Sequence, residues 1–279
     1  MTQDITPNPY QIPGTQLTQA GEIRLRRVPA MNGLEWLTDA WGLFRRRPGL
    51  FIGLTLLMAI INFALGMVPL IGLFASLLSP VFLGGFALAA SKIDRGEPAE
   101  VGDLFAGFKQ NFSQLLVVGA IFLGIGFVLM MVGGIVVAVC FALGFNMNTG
   151  LSPGLLVTGM MAIMVAFLLI MALFITMSYA AMIVMLTNCE PVAAYREAFN
   201  AFLVNFMPFL VFSAASAFLY GVSALPLTLG LIDTDLLLVG VLPMLGFVVL
   251  VVSPWMTIAI YTGVKDMFEA VSNAVNPGA

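Results

Sequence analysis

The chain contains no histidine, two cysteines and only 9% charged residues. Each scarcity removes a class of function. Histidine is the commonest general base and transition-metal ligand, so catalysis that depends on an imidazole is excluded. Cys140 and Cys189 cannot build a zinc site by themselves, and the topology derived below puts them near opposite faces of a membrane, too far apart for a disulfide. They are expected to be packing residues. Eleven Lys and Arg against fourteen Asp and Glu give a net charge of −3. The basic residues form no stripe able to follow a phosphate backbone, which argues against a nucleic-acid partner. The first 32 residues are polar, with no apolar run before a small-residue cleavage site, so no cleaved signal peptide is expected.

What abounds is hydrophobic: 61% of the residues, with a mean hydropathy of +1.05, against about 45–50% in soluble domains. The excess is spread over several runs rather than one, which excludes a soluble domain with a single anchor. Six apolar spans are predicted, at 50–68, 70–91, 115–145, 155–188, 208–225 and 236–264. The third and fourth exceed a perpendicular crossing and are expected to tilt or to extend beyond the hydrocarbon. The fold class is therefore all-α and integral to the membrane.

An amphipathic stretch precedes every second span. Leu34, Leu37, Trp41 and Phe44 recur at helical spacing, as do Val101, Leu104, Phe105, Phe108 and Phe112, and Val192, Tyr195, Phe199, Phe202 and Phe206. Each stretch reads as a helix lying in the interface. With six spans all eleven Lys and Arg fall on one side, and the opposite loops carry only Asp233 and Asp235. Orientation follows such asymmetry, so both termini are expected in the cytoplasm of a bacterial inner membrane. One membrane domain, 33–268, is expected between flexible cytoplasmic tails at 1–32 and 269–279. Asp94, Glu97, Asp103 and Glu190 then read as solvated loop charges.

The chain also resembles itself. Trp41, Phe44 and Arg47 align with Phe105, Phe108 and Asn111 and with Phe199, Phe202 and Asn205, each set leading into a span. The second span of each unit carries a serine: Ser79, Ser178 and Ser253. Three parallel copies of one unit are expected, at about 33–91, 101–188 and 191–264.

Trp36-Leu37 with Ala40-Trp41 and Phe44, Asp94-Arg95-Gly96-Glu97, Leu104-Phe105 with Gly107-Phe108, and Tyr261 with Lys265-Asp266-Met267-Phe268 carry a wider likeness. In these motifs the chain resembles a family of uncharacterised proteobacterial inner-membrane proteins with six helices. It is more distantly similar to the membrane domain found beside some glycerophosphodiester phosphodiesterases. The resemblance implies an inner-membrane fold and no reaction, since the phosphodiesterase catalytic residues have no counterparts here.

Two sets of residues are candidate sites. Arg45, Arg46 and Arg47 form the one dense charge cluster, placed where an interfacial helix meets the membrane; they orient the chain and are candidates to hold anionic lipid head groups. Ser79, Ser178 and Ser253 either gather around a central polar site or bond their own helix backbones, the second being the favoured reading. Ser213, Ala217 and Gly221 repeat at four-residue spacing and are expected to pack within the chain. No cofactor or metal is called for. The expected partners are membrane lipids and an unidentified membrane or envelope protein. The function expected is a non-enzymatic membrane protein that organises lipid or docks an envelope partner, with a carrier or channel for a lipid-like or neutral solute as the alternative.

Overall fold

The computed structural model describes residues 24–67, 69–146, 150–151, 153–228 and 237–275. The expected features at 1–23, at Asp233 and Asp235 and at 276–279 lie outside the described residues, as does the side chain of Cys140. The described chain is all-helical apart from a two-residue antiparallel pair, Phe145↔Leu151 and Asn146↔Gly150, that closes one hairpin. Six helices are long and apolar enough to cross a membrane.

The chain enters through α1 (Asn32–Arg46), then runs through the hairpin α2 (Pro48–Gly66) and α3 (Pro69–Asp94). A 3₁₀ turn (Val101–Phe105) and the single-turn α4 (Ala106–Lys109) lead into the hairpin α5 (Phe112–Gly144) and α6 (Pro153–Thr187). Next come α7 (Pro191–Val204), α8 (Phe206–Ser223) and a last composite span. That span comprises α9 (Leu237–Phe247), a π turn (Val248–Val252) and α10 (Ser253–Met267), and is followed by α11 (Glu269–Val275). The π turn has a local cause. Pro254 brings no N–H to the ladder and crowds the carbonyl four residues back, so the helix widens and Ser253 sends both its N–H and its Oγ, at 2.9 Å, to the carbonyl of Val248.

All first spans begin, and all second spans end, at one end of the bundle, which carries all eleven basic residues. There α3, α6 and α10 touch one another, and around them the short elements interlock. Helix α1 packs on α10 and α8, the 3₁₀ turn and α4 pack on α3, and α7 packs on α6. Each joint before a first span is also tied to the end of a second span. Arg46 Nη1 donates to the carbonyls of Ile93 and Asp94, each at 3.3 Å. Asn111 Nδ2 donates to Asn188 Oδ1 at 2.8 Å and to the Val184 carbonyl. Both asparagines hold φ at 55°, a left-handed conformation that Asn tolerates better than most residues. Asn205, 1% exposed, accepts the N–H of Val28 and donates to the carbonyl of Arg26. The strap around these residues is itself paired with the α10–α11 junction through Leu25↔Phe268 and Arg26 N–H to Met267 O.

The core sits at this end, with Trp36, Phe51, Phe86, Leu104, Leu115, Met182, Tyr261 and Phe268 fully buried. The other end exposes apolar side chains such as Phe63, Val132, Met160, Phe218 and Leu242, the surface expected where lipid is the solvent. Helix α3 is the central one: 67% of its apolar window is buried, against 17–19% for the other five. Helices α5 and α6 have 33 and 35 residues, or about 50 Å each, well beyond a hydrocarbon core of about 30 Å.

Several expectations are corrected. The buried stripe of α1 is Gly33, Trp36, Leu37, Ala40, Leu43 and Phe44, while Leu34 is exposed and Trp41 is half-buried. In α7 it is Ala194, Tyr195, Ala198 and Ala201, with Val192, Phe199 and Phe206 outside. Small residues dominate the inward face of α7, and on α1 Gly33 lets the helix approach closely, since a Cβ on it would lie 2.2 Å from the carbonyl oxygen of Pro208. Helix α3 continues through Lys92 and Asp94 rather than ending at residue 91, since both charges find partners: Lys92 pairs with Asp103 at 2.6 Å, and Asp94 pairs with Lys265. Asp103 also caps the turn at Glu100, so neither aspartate is a solvated loop charge. Ser213, Ala217 and Gly221 face outward instead of packing within the chain. Residues 24–30 and α11, expected as tails, are bound to the bundle.

Candidate functional site

At the charged end a half-open cleft of about 480 Å³ lies between α1, the last turn of α10 and the end of α3. Helix periodicity builds one wall. Glu35, Asp39, Gly42 and Arg46 recur at three- and four-residue intervals, so they share the face of α1 opposite its buried stripe. The last turn of α10 contributes Thr262, Lys265 and Asp266, α3 contributes Asp94, and the strap contributes Arg26.

Two polar clusters fix this geometry. In the first, Asp94 Oδ2 accepts from Lys265 Nζ at 2.5 Å and from the Tyr261 hydroxyl at 3.2 Å. Tyr261 and Lys265 are one helical turn apart, so both donors reach the same carboxylate. In the second, Asp266 Oδ2 accepts from Asn32 Nδ2 and from Trp36 Nε1, each at 2.9 Å. The backbone of α1 is pinned as well, because the Thr262 hydroxyl donates to the Trp36 carbonyl and Trp255 Nε1 to the Leu37 carbonyl. Half-buried side chains of opposite charge joined by hydrogen bonds resist separation more than exposed ion pairs do.

Charge is left over. Lys265 and Asp94 neutralise each other, whereas among the described residues Asp266 accepts only from neutral donors, through one oxygen. The side chains of Glu35 and Asp39 have no hydrogen bond or ion pair among the described residues. Arg46 uses Nη1 on two carbonyls, and its remaining nitrogens have no partner among those residues. Three carboxylates and two guanidinium groups therefore border one cleft without compensating one another. Among the described residues no group of three or more Cys, Asp or Glu side chains is placed to hold a metal ion.

Two titratable groups at the α6–α7 joint and on α7, away from the cleft, are perturbed. Burial pushes the Cys189 thiol up, and the carboxylate of Glu190 adds to this. Burial likewise pushes the Tyr195 phenol up, partly offset by a hydrogen bond with Thr176.

The structure divides the arginine cluster. Arg46 lines the cleft, Arg45 is exposed, and Arg47 is exposed at the joint between α1 and α2. Ser178 Oγ donates to the Phe174 carbonyl at 2.8 Å and Ser253 Oγ to that of Val248, so both hydroxyls serve their own helices; Ser79 is half-buried in α3. Sequence reasoning missed Trp36, Asp94, Lys265 and Asp266 as a site. One signal was there: a Tyr and a Lys four residues apart on a helix end put two donors on one face and require an acidic partner. No family model, curated protein or solved structure matches this chain.

Proposed function

We propose that this chain is a non-enzymatic protein of the bacterial inner membrane whose short charged-end elements form a collar that organises lipid at the cytoplasmic leaflet. One observation carries the reading. The collar elements turn one apolar face into the bundle and leave a second set of large apolar side chains facing out. Leu34, Phe105, Phe108, Phe112, Phe199, Leu203 and Phe206 are all exposed, at the level where the basic residues gather and where a bilayer would have its interface. Amphipathic surfaces of this kind bind the boundary between head groups and acyl chains. The basic end faces the cytoplasm on the same reasoning that orients the spans.

A parallel threefold repeat supports the collar. Arg47, Asn111 and Asn205, aligned by sequence, each immediately precede a first span. The contacts run in a cycle: each unit's short element rests on the second span of the unit before it, with the first unit resting on the third. Helices α3, α6 and α10 touch one another, and Phe86, Ala90, Met182, Ile183 and Tyr261 on them are fully buried, which weighs against the carrier reading. The likeness to six-helix inner-membrane proteins agrees with this assignment.

The test is native mass spectrometry of the protein extracted in mild detergent from membranes containing anionic lipid. Arg45→Gln with Arg47→Gln removes two exposed charges and leaves Arg46 on the end of α3. At about 1 kcal/mol per charge near the surface, retained anionic lipid should fall about thirtyfold at low salt and less at high salt. Folded protein that emerges free of lipid, or retention unchanged in the double variant, overturns the reading.

A further inference from the structure

We propose that the cleft between α1 and α10 binds a phosphoethanolamine group, with its phosphate on Arg46 and Arg26 and its primary ammonium on Asp266 with Glu35 and Asp39. The inference rests on the lipid-organising reading and names the head group. The uncompensated charges carry it. A simple anion would meet three carboxylates that have no cationic partner, and a simple cation would meet two guanidinium groups. A zwitterion brings an opposite charge to each set at once. Guanidinium groups offer parallel N–H donors that suit phosphate oxygens, and Arg46 retains Nε and Nη2 for that purpose.

The cationic half of the ligand is also selected. A primary ammonium brings three hydrogen-bond donors to carboxylate acceptors. A quaternary ammonium brings none and is held instead by aromatic faces. Trp36 is the sole aromatic residue in the lining, and its N–H is committed to Asp266. Space is provided on α1 itself, where Gly42 lies between Asp39 and Arg46 and a Cβ built on it would meet nothing within 4 Å. The cleft also adjoins the joint at Arg47–Pro48, where the chain passes into apolar α2, as a head group with tails in the bilayer requires.

The experiment titrates the protein in mild detergent with phosphatidylethanolamine, phosphatidylcholine or phosphatidylglycerol of matched short chains, and separately with soluble glycerophosphoethanolamine, reading adducts by native mass spectrometry. Phosphatidylethanolamine should be retained about tenfold more than either other lipid, the scale of one or two charge-assisted hydrogen bonds. Two variants should abolish that preference. Asp266→Asn keeps an oxygen for Asn32 and Trp36 while removing the charge. Gly42→Leu fills the cleft from a helical position that tolerates a side chain, so it keeps the proposal testable if Asp266→Asn misfolds. Total lipid retained tests the organising function; preference among head groups tests this site. Equal retention of the three lipids, or a preference surviving in a folded Gly42→Leu variant, overturns the proposal. Equally tight glycerophosphoethanolamine supports the zwitterion site and overturns only the lipid as its source.

Discussion

Cys189 reports on the joint between α6 and α7. Its thiol is half-buried and its pKa is raised, first by burial and second by Glu190. The thiolate is the reactive form, so maleimide labelling at neutral pH should be slower than for a free thiol and should rise about tenfold per pH unit until a midpoint above the ordinary thiol range. Glu190→Gln removes a negative neighbour and should lower that midpoint; denaturant should return it to the ordinary value. Identical pH–rate profiles in folded and denatured protein would contradict the described environment. Run above neutral pH, the same reaction reads orientation: with a cytoplasmic basic end, Cys189 should label in inverted vesicles and not in intact cells. At this scale the sequence was legible where a residue's end of the bundle was at issue. It was not legible where helix phase decides, because three consecutive arginines point in three directions and only Arg46 enters the cleft.

At the scale of elements, glycines distinguish contact from free surface. On Gly85 a Cβ would lie 2.1 Å from the carbonyl oxygen of Leu104, where α3 meets the 3₁₀ turn backbone to backbone; on Gly49 and Gly124 it would meet nothing within 4 Å. Gly85→Ala should therefore destabilise by about 1–3 kcal/mol through overpacking, whereas Gly49→Ala should stabilise by about 0.5–1 kcal/mol because alanine is the better helix former. Thermal unfolding in detergent, followed by circular dichroism, checks both signs. A silent Gly85→Ala would mean that the turn does not sit on α3. The six spans were readable because apolar runs of this length have few other uses. The inward faces of the short elements were not, since apolar residues surround much of α1 and α7 and contacts distant in sequence chose between them. The ends of α3 and α10 were misplaced for a related reason: a charge reads as the end of a span until its partner, 171 residues away in the case of Lys265 and Asp94, is known.

For the whole molecule, the ring of contacts predicts how the chain tolerates being cut. Gly96, Glu97 and Pro98 are exposed between α3 and the 3₁₀ turn, and contacts cross that point in both directions. The 3₁₀ turn rests on α3, and α1 rests on α8 and α10. Fragments 1–97 and 98–279, produced together, should therefore co-purify in mild detergent as a complex with near-wild-type melting behaviour. Independent elution of the two would show that covalent continuity, and not the ring, holds the charged end together. The aromatic spacing suggests three parallel units, but the order of the contacts was hidden: nothing local in α1 shows that its partner is the last span rather than its own hairpin.

That order bears on how the protein is made. Trp36 and the aspartate that receives its N–H are 230 residues apart, so at about 5–20 residues per second the first helix waits about 10–50 s for its partner to be synthesised. Until then only α8, which is made earlier, can cover the inward face, with Trp36 near Phe209 and Phe212, and the part that meets α10 stays open. The last span to emerge therefore acts as a completion check on the first helix. A chain truncated before residue 253 would carry five of its six spans yet leave that part of the face open for a chaperone or protease to engage.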